Sequence, residues 1–177
     1  MPPTLDIWSN AASWRLRGLV QSSIANLLLA KKFERPIYLC SPWISDFQVF
    51  DNSFSQFSAL VPDAADQMRI NLSDCLAQLS TENDIRIVSK KTPTSDAFFG
   101  MPILSKSSIQ MRMSNDKLHE KGILTPLFYI EGSMNITFSG VMLNEEKVIY
   151  HSGDDQLIRG KIQNAYLEFD RRWKLLT

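Results

Sequence analysis

The chain has 177 residues, 44% of them hydrophobic, and its 19 basic and 19 acidic side chains give a formal net charge of zero. That size and apolar share suit one domain, residues 1–177, with its own core, and do not suit two. The balance argues against a uniformly basic nucleic-acid coat; no apolar run reaches the roughly 18 residues of a membrane span; and MPPTLDIWSN lacks a cationic start ahead of an apolar stretch, so no membrane partner and a cytoplasmic location are expected.

Leu16, Leu19, Val20, Ile24, Leu27 and Leu28 recur at helical spacing and predict an amphipathic helix over residues 14–33, ending at Lys31-Lys32. Residues 1–35 then form an N-terminal helical segment ahead of a core at 36–177. Pro36 opens a strand at 37–41, which Ser41-Pro42 closes. Across residues 44–66, Phe47, Phe50, Phe54 and Phe57 are spaced 3, 4 and 3 apart, a helical stripe. Core packing explains it best, the alternative being an exposed aromatic surface for a partner or for stacked bases. Leu72, Cys75, Leu76 and Leu79 signal a second helix, with Asn71 as its cap.

Strands are predicted at 85–89 and 109–113, and the segment 92–108 between them reads as a short helix or a mobile lip. Further strands follow at 119–124, 127–133 and 147–151. Asp154 and Asp155 begin a last helix that turns Leu157, Ile158, Ile162, Ala165, Phe169 and Trp173 inward and carries basic residues at its far end. Helices mixed with at least six short strands imply an α/β fold, a mixed β-sheet flanked by helices on both faces. Cys40 and Cys75 lie outside any metal-ligand spacing and read as buried reduced thiols, with a disulfide or a reactive thiol as the alternative.

Residues 119–146 read HEKGILTPLFYIEGSMNITFSGVMLNEE. His119 and Lys121 stand two apart on one apolar run, and Ser133 and Asn135 stand two apart on the next. Alternation along a strand sends each pair to one face, so all four side chains can meet in one cleft. The imidazole is a candidate nucleophile and the ammonium a fixed positive charge. The hydroxyl and carboxamide supply short hydrogen bonds to phosphate oxygens. A lone histidine in such a strand would read as a satisfied core residue; the surrounding set favours function.

His119-Glu120-Lys121 followed by Gly132-Ser133-Met134-Asn135 resembles the HxK and GSxN signature of the phospholipase D superfamily, and 140–146, GVMLNEE, fits the G-apolar-x-x-N-x-E element that usually follows. More loosely, the resemblance runs from about residue 37 to the C-terminus. It implies a phospholipase D-like domain in which His119 attacks phosphorus to give a phosphohistidine. Lys121 and Asn135 would bind the phosphate's non-bridging oxygens, Ser133 would support the pocket, and Glu146 would orient the imidazole, the alternative for Glu146 being a plain surface carboxylate. Ser41 and Trp43 would line the cleft or serve as turn and core residues. The family also usually places a short helix at 92–108. Two departures stand out: Pro126 replaces the family's aspartate five residues beyond the lysine, and the stretch from Lys121 to Gly132 is one residue short. Both point to a tight hairpin at Thr125-Pro126-Leu127.

The implied activity is metal-independent phosphodiesterase chemistry with no cofactor, since no Asp, Glu, His or Cys cluster has metal-ligand spacing and Lys121 stands in for the cation. A short chain with one motif copy resembles the small bacterial nuclease branch. It also bears a looser similarity to the phospholipase D-like proteins of deazapurine DNA-modification systems in bacteria. Nucleic acid is the expected substrate, a phospholipid or another phosphodiester being the alternative: from Arg86 to Lys121 seven basic residues (Arg86, Lys90, Lys91, Lys106, Arg112, Lys117, Lys121) outnumber three acids (Asp96, Asp116, Glu120), which suits a positive rim beside the cleft or a solvated surface with no partner. A single HxK motif implies a homodimer with a composite site, the rival proton donor being His151, which reads as a turn residue before Ser152-Gly153-Asp154. The competing class is a catalytically silent member that binds nucleic acid or a protein as a scaffold.

Overall fold

The computed structural model describes residues 4–9, 14–30, 32–114 and 118–176. Its strands are β1 (Thr4–Ser9), β2 (Ile37–Cys40), β3 (Gln48–Asp51), β4 (Arg69–Asn71), β5 (Ile85–Lys90), β6 (Gln110–Ser114), β7 (Gly122–Leu124), β8 (Phe128–Gly132) and β9 (Glu146–Ser152). Its α-helices are α1 (Arg15–Ala30), α2 (Leu72–Ser80), α3 (Pro93–Phe99), α4 (Pro102–Ser105), α5 (Phe138–Met142) and α6 (Gln156–Leu175). Seven strands make one mixed sheet in the order β1-β9-β8-β7-β2-β5-β6, and β3 and β4 form a separate pair. Within the large sheet β2, β5 and β6 run parallel, and every other pairing is antiparallel.

Alternation along these strands builds two cores. Ile37, Leu39, Ile85, Ile87, Ile123, Phe128 and Ile130 pack with the α1 and α2 stripes on one face. Their neighbours Tyr38, Cys40, Val88, Leu124 and Tyr129 pack with Ile162, Tyr166, Phe169 and Trp173 of α6 on the other. The predicted mixed sheet with helices on both faces is therefore the observed one. No described helix is long and apolar enough to cross a membrane.

Local chemistry sets most element ends. The backbone N–H of Asn71 donates to Asp74 Oδ2 at 2.8 Å as α2 begins, and Asp155 Oδ1 accepts from Leu157 N and Ile158 N at the start of α6. The β7–β8 hairpin closes on Thr125, whose Oγ1 accepts from Leu127 N at 3.2 Å and Phe128 N at 3.0 Å. Pro126 sits in that short turn, where its missing N–H costs no ladder bond.

Several expectations need correction. The N-terminal segment opens with a strand, β1, which pairs along its whole length with β9. The phenylalanine stripe is not a helix: Phe50 lies in β3, and Phe57 folds back from the following turn to stack on it at 4.6 Å. Phe47 and Phe50 are buried, as core packing requires, whereas Phe54 is 90% exposed. Leu157 does not face inward but is 86% exposed, because the sheet-facing stripe of α6 begins only at Ile158. The segment 92–108 holds two short helices, α3 and α4. Cys40 and Cys75 are both buried and unpaired. Lys31, the expected helix end, and Asp116 and Lys117 of the basic segment lie outside the described residues.

Candidate active site

The sheet register gathers the motif residues at one edge. Cys40 pairs with Gly122, Gly122 with Glu131, and Gly132 with Val148, so the end of β2, the start of β7, the end of β8 and the start of β9 lie side by side. Ser41, Lys121, Ser133 and Glu146 are the residues that continue or begin those strands. His119 and Lys121 precede β7 rather than lying within it, correcting the predicted strand at 119–124, and His119 is exposed. That exposure suits a nucleophile better than a strand interior does. Glu120, between them, pairs with Arg172 of α6 and anchors the segment to the sheet's other face. Lys121 Nζ donates to the His119 carbonyl at 3.3 Å.

Gly132 ends β8 with φ +149°, and a Cβ there would overlap the Lys147 carbonyl. That kink delivers Ser133 to β9, where its N–H donates to Lys147 O and its Oγ accepts from Lys147 N, both at 3.0 Å. Ser133 Oγ also donates to Glu146 Oε2, and Asn144 Nδ2 donates to Glu146 Oε1 at 3.4 Å. Glu146 is only 8% exposed, which removes the reading of it as a surface carboxylate.

Asn135 is held from two sides. Ser41 Oγ donates to Trp43 O at 2.7 Å, reaches Asn135 Oδ1 at 3.4 Å, and accepts from Ile136 N at 3.0 Å. Behind Asn135 sits Gly140 of α5, where a Cβ would overlap the Asn135 carbonyl oxygen. Thr137 caps that helix by accepting from Gly140 N at 3.0 Å. The glycine of the GVMLNEE element is thus explained by close approach to the carboxamide-bearing residue.

His151 is placed otherwise than the sequence suggested. It lies inside β9 and is buried, stacked on Tyr129 at 5.9 Å. Its Nε2 lies 2.8 Å from Glu131 Oε1 and 2.7 Å from Lys161 Nζ, and its Nδ1 lies 3.2 Å from Thr4 Oγ1. Burial alone would raise the Glu131 carboxyl, yet hydrogen bonds from Lys161 and His151 hold it below the ordinary glutamate range. Nearby, burial pushes the Cys40 thiol up against the opposing pull of Arg172, leaving it an inert thiol. Among the described residues no three His, Cys, Asp or Glu side chains gather closely enough to hold a metal ion.

No protein-family model matches the sequence, and no curated protein matches it. Solved structures do. Nuc from Salmonella typhimurium, a phospholipase D family member, superposes with a TM-score of 0.62 at 17% identity, over 98% of this chain and 95% of its own. The chain has the phospholipase D fold. NucT from Helicobacter pylori matches with the same TM-score, 0.62, at 8% identity over 98% of this chain and 97% of its own. TrmBL2, an archaeal chromatin protein with a novel mode of DNA binding, shares the fold at a TM-score of 0.54 and 10% identity, over 99% of this chain and 54% of its own.

Within this phospholipase D fold, the contacts most easily missed from sequence are those of Ser41 and Arg172. Ser41, which the sequence offered as a cleft or turn residue, lies 94 residues from Asn135 along the chain, and only the fold brings its hydroxyl to the carboxamide. Glu120–Arg172 is likewise a tertiary pair without a local signal.

Proposed function

We propose that the chain is a metal-independent phosphodiesterase, a nuclease acting on DNA, with a composite site shared by two copies. The observation that carries this reading is the register that lines up the His119, Lys121, Ser133, Asn135 and Glu146 segments along one sheet edge. In the first step a ring nitrogen of His119 bonds to phosphorus as the bond to the leaving oxygen breaks, giving a phosphohistidine. Lys121 and Asn135 bind the non-bridging oxygens, where negative charge concentrates, Ser133 supports the pocket, and Glu146, bonded to Ser133 and Asn144 with the His119 ring open, would orient the imidazole once the ring turns to it. Water then attacks phosphorus, passing its proton to the group that protonated the leaving alkoxide, the P–N bond breaks, and the imidazole is restored.

The departing alkoxide needs a proton while His119 is attacking, and one imidazole cannot serve both ends of the displacement. His151 is poorly placed to help. It lies five residues along β9 from Glu146, about 16 Å at strand rise, and both its ring nitrogens are engaged. A second His119, from a two-fold partner, fills the role. In EDTA-containing buffer, mixtures of freely exchanging wild-type and His119→Ala chains should lose turnover as the square of the wild-type fraction. A linear fall would reject the composite site, and loss of activity on chelation restored by one divalent ion would reject the metal-independent mechanism.

A second reading, a silent nucleic-acid-binding scaffold, draws on the shared fold with TrmBL2 and on Pro126. Its mark would be DNA binding with no turnover of any phosphodiester.

A further inference from the structure

Two exposed indoles bracket the edge that carries the candidate site, and each has a lysine over its ring. Trp8 is 68% exposed with Lys147 Nζ 5.0 Å from the ring centroid; Trp43 is 45% exposed with Lys90 Nζ at 5.8 Å. Neither indole belongs to either core cluster. Both are tied to the site through the backbone. Trp8 pairs with Lys147 in the β1–β9 ladder, and Lys147 exchanges backbone hydrogen bonds with Ser133. On the other side, the Trp43 carbonyl accepts from the Ser41 hydroxyl that reaches Asn135. The lysines at this edge come from β5, from the residue before β7 and from β9, so cations recur across it: Lys90, Lys121, Lys147.

From β5 to β1 is five strand spacings, about 24 Å, the length of about seven stacked nucleotides of one strand. Aromatic faces interspersed with ammonium groups over such a length suit a polymer that offers both bases and phosphates along its course. Duplex DNA withholds its base faces by stacking them on each other. At the indoles themselves, which flank the His119 face shared with the two-fold partner, a second protein copy fits less well, because the centres of protein interfaces are depleted in lysine.

Resting on the nuclease reading above, we propose that Trp8 and Trp43 are stacking platforms for unpaired bases on either side of the phosphodiester at His119, with Lys147 and Lys90 taking flanking phosphates. The preferred ligand is then single-stranded nucleic acid, and the two indoles are the specificity-determining residues.

The test uses the full chain with His119→Ala, so that nothing is cleaved, and titrates a labelled 12-nucleotide oligothymidylate, an abasic 12-mer and a 12-base-pair duplex at one salt concentration. The single strand should bind at least about tenfold tighter than the other two and quench tryptophan fluorescence. Trp8→Ala and Trp43→Ala should each weaken its binding about 5- to 100-fold, whereas Trp8→Phe and Trp43→Phe, which keep an aromatic face, should restore most of it. Unchanged affinity in the alanine variants would overturn the stacking assignment and leave the nuclease reading intact. Turnover of a chromogenic phosphodiester by the wild-type chain, with no oligonucleotide bound, would overturn the nucleic-acid reading and this inference together. Dimers that become monomers in the alanine variants, with oligonucleotide affinity unchanged, would assign the indoles to a contact between copies instead.

Discussion

The two histidines of this chain occupy opposite environments a few strands apart. His119 stands exposed in the segment ahead of β7, and no described residue hydrogen-bonds its ring. His151 is buried near the end of β9, beside the edge strand β1, with Glu131, Lys161 and Thr4 around it and Tyr129 stacked on one face. A ring whose nitrogens are fully engaged cannot attack phosphorus without breaking those bonds first, whereas an open ring beside a lysine can. The same side chain therefore serves adhesion between α6 and the sheet in one place and, on the proposed reading, chemistry in the other.

Exchanging either histidine should separate these roles most sharply. His119→Ala should lower phosphodiester turnover by about a thousandfold or more while leaving the thermal midpoint nearly unchanged. His151→Ala should do the reverse. Removing a buried, three-partner ring costs about 2–4 kcal/mol, or a midpoint fall of about 5–15 °C for a chain of this size, with turnover per folded molecule close to wild type. Side-by-side kinetics and thermal melts check both, and a large stability loss in His119→Ala would erase the distinction.

Glycines sharpen the comparison at a second level. Gly140 backs directly onto the Asn135 backbone, so Gly140→Ala must shift that backbone and carry the carboxamide with it. A shift of about 1 Å at a phosphate-binding group costs turnover of the order of 10- to 100-fold, with overpacking of about 1–3 kcal/mol. Gly18 and Gly160, with nothing within 4 Å of an added Cβ, are the controls. Alanine at either should be neutral or stabilising by up to about 1 kcal/mol, with no change in turnover.

A smaller effect tests the His151 network by pH. The folded-state pKa of Glu131 is depressed, so its contribution to stability is present above the unfolded value and lost as pH falls through the folded one. Wild type should therefore melt above Glu131→Gln near neutral pH, and the gap should close below about pH 4. With Glu131 partly open to solvent, screening limits the difference to the order of 1 kcal/mol, a few degrees. A gap that widens in acid would show that the network is held together by something other than the ionised carboxylate.

What the sequence disclosed follows from how far apart the interacting residues lie. The HxK, GSxN and GVMLNEE pieces are adjacent in the chain, and their apolar flanks carry the strand period, so both the edge and its candidate residues could be read directly. The phenylalanine stripe misled because spacings of 3, 4 and 3 also arise when a strand and the turn after it fold Phe50 and Phe57 onto each other. β1 carried a short alternation of its own, Leu5 and Ile7 on either side of Asp6, but its partner β9 lies at the far end of the chain. His151 was misread because Ser152-Gly153-Asp154 is turn chemistry, and the strand runs one residue further than the pattern suggests. Arg172 and Trp8 gain their roles only from tertiary proximity, which local spacing does not encode, whereas Ser41 and Trp43 were legible as cleft or turn residues and only their partners were not.

The measurement that bears most directly on His119 as nucleophile is covalent trapping. Wild-type protein mixed with a 32P-labelled phosphodiester substrate, quenched in base and mapped by peptide, should carry an acid-labile, base-stable phosphoryl group on the peptide containing His119, absent from His119→Ala. A labelled adduct on any other residue, or turnover that persists in His119→Ala with no adduct on either protein, would contradict the assignment.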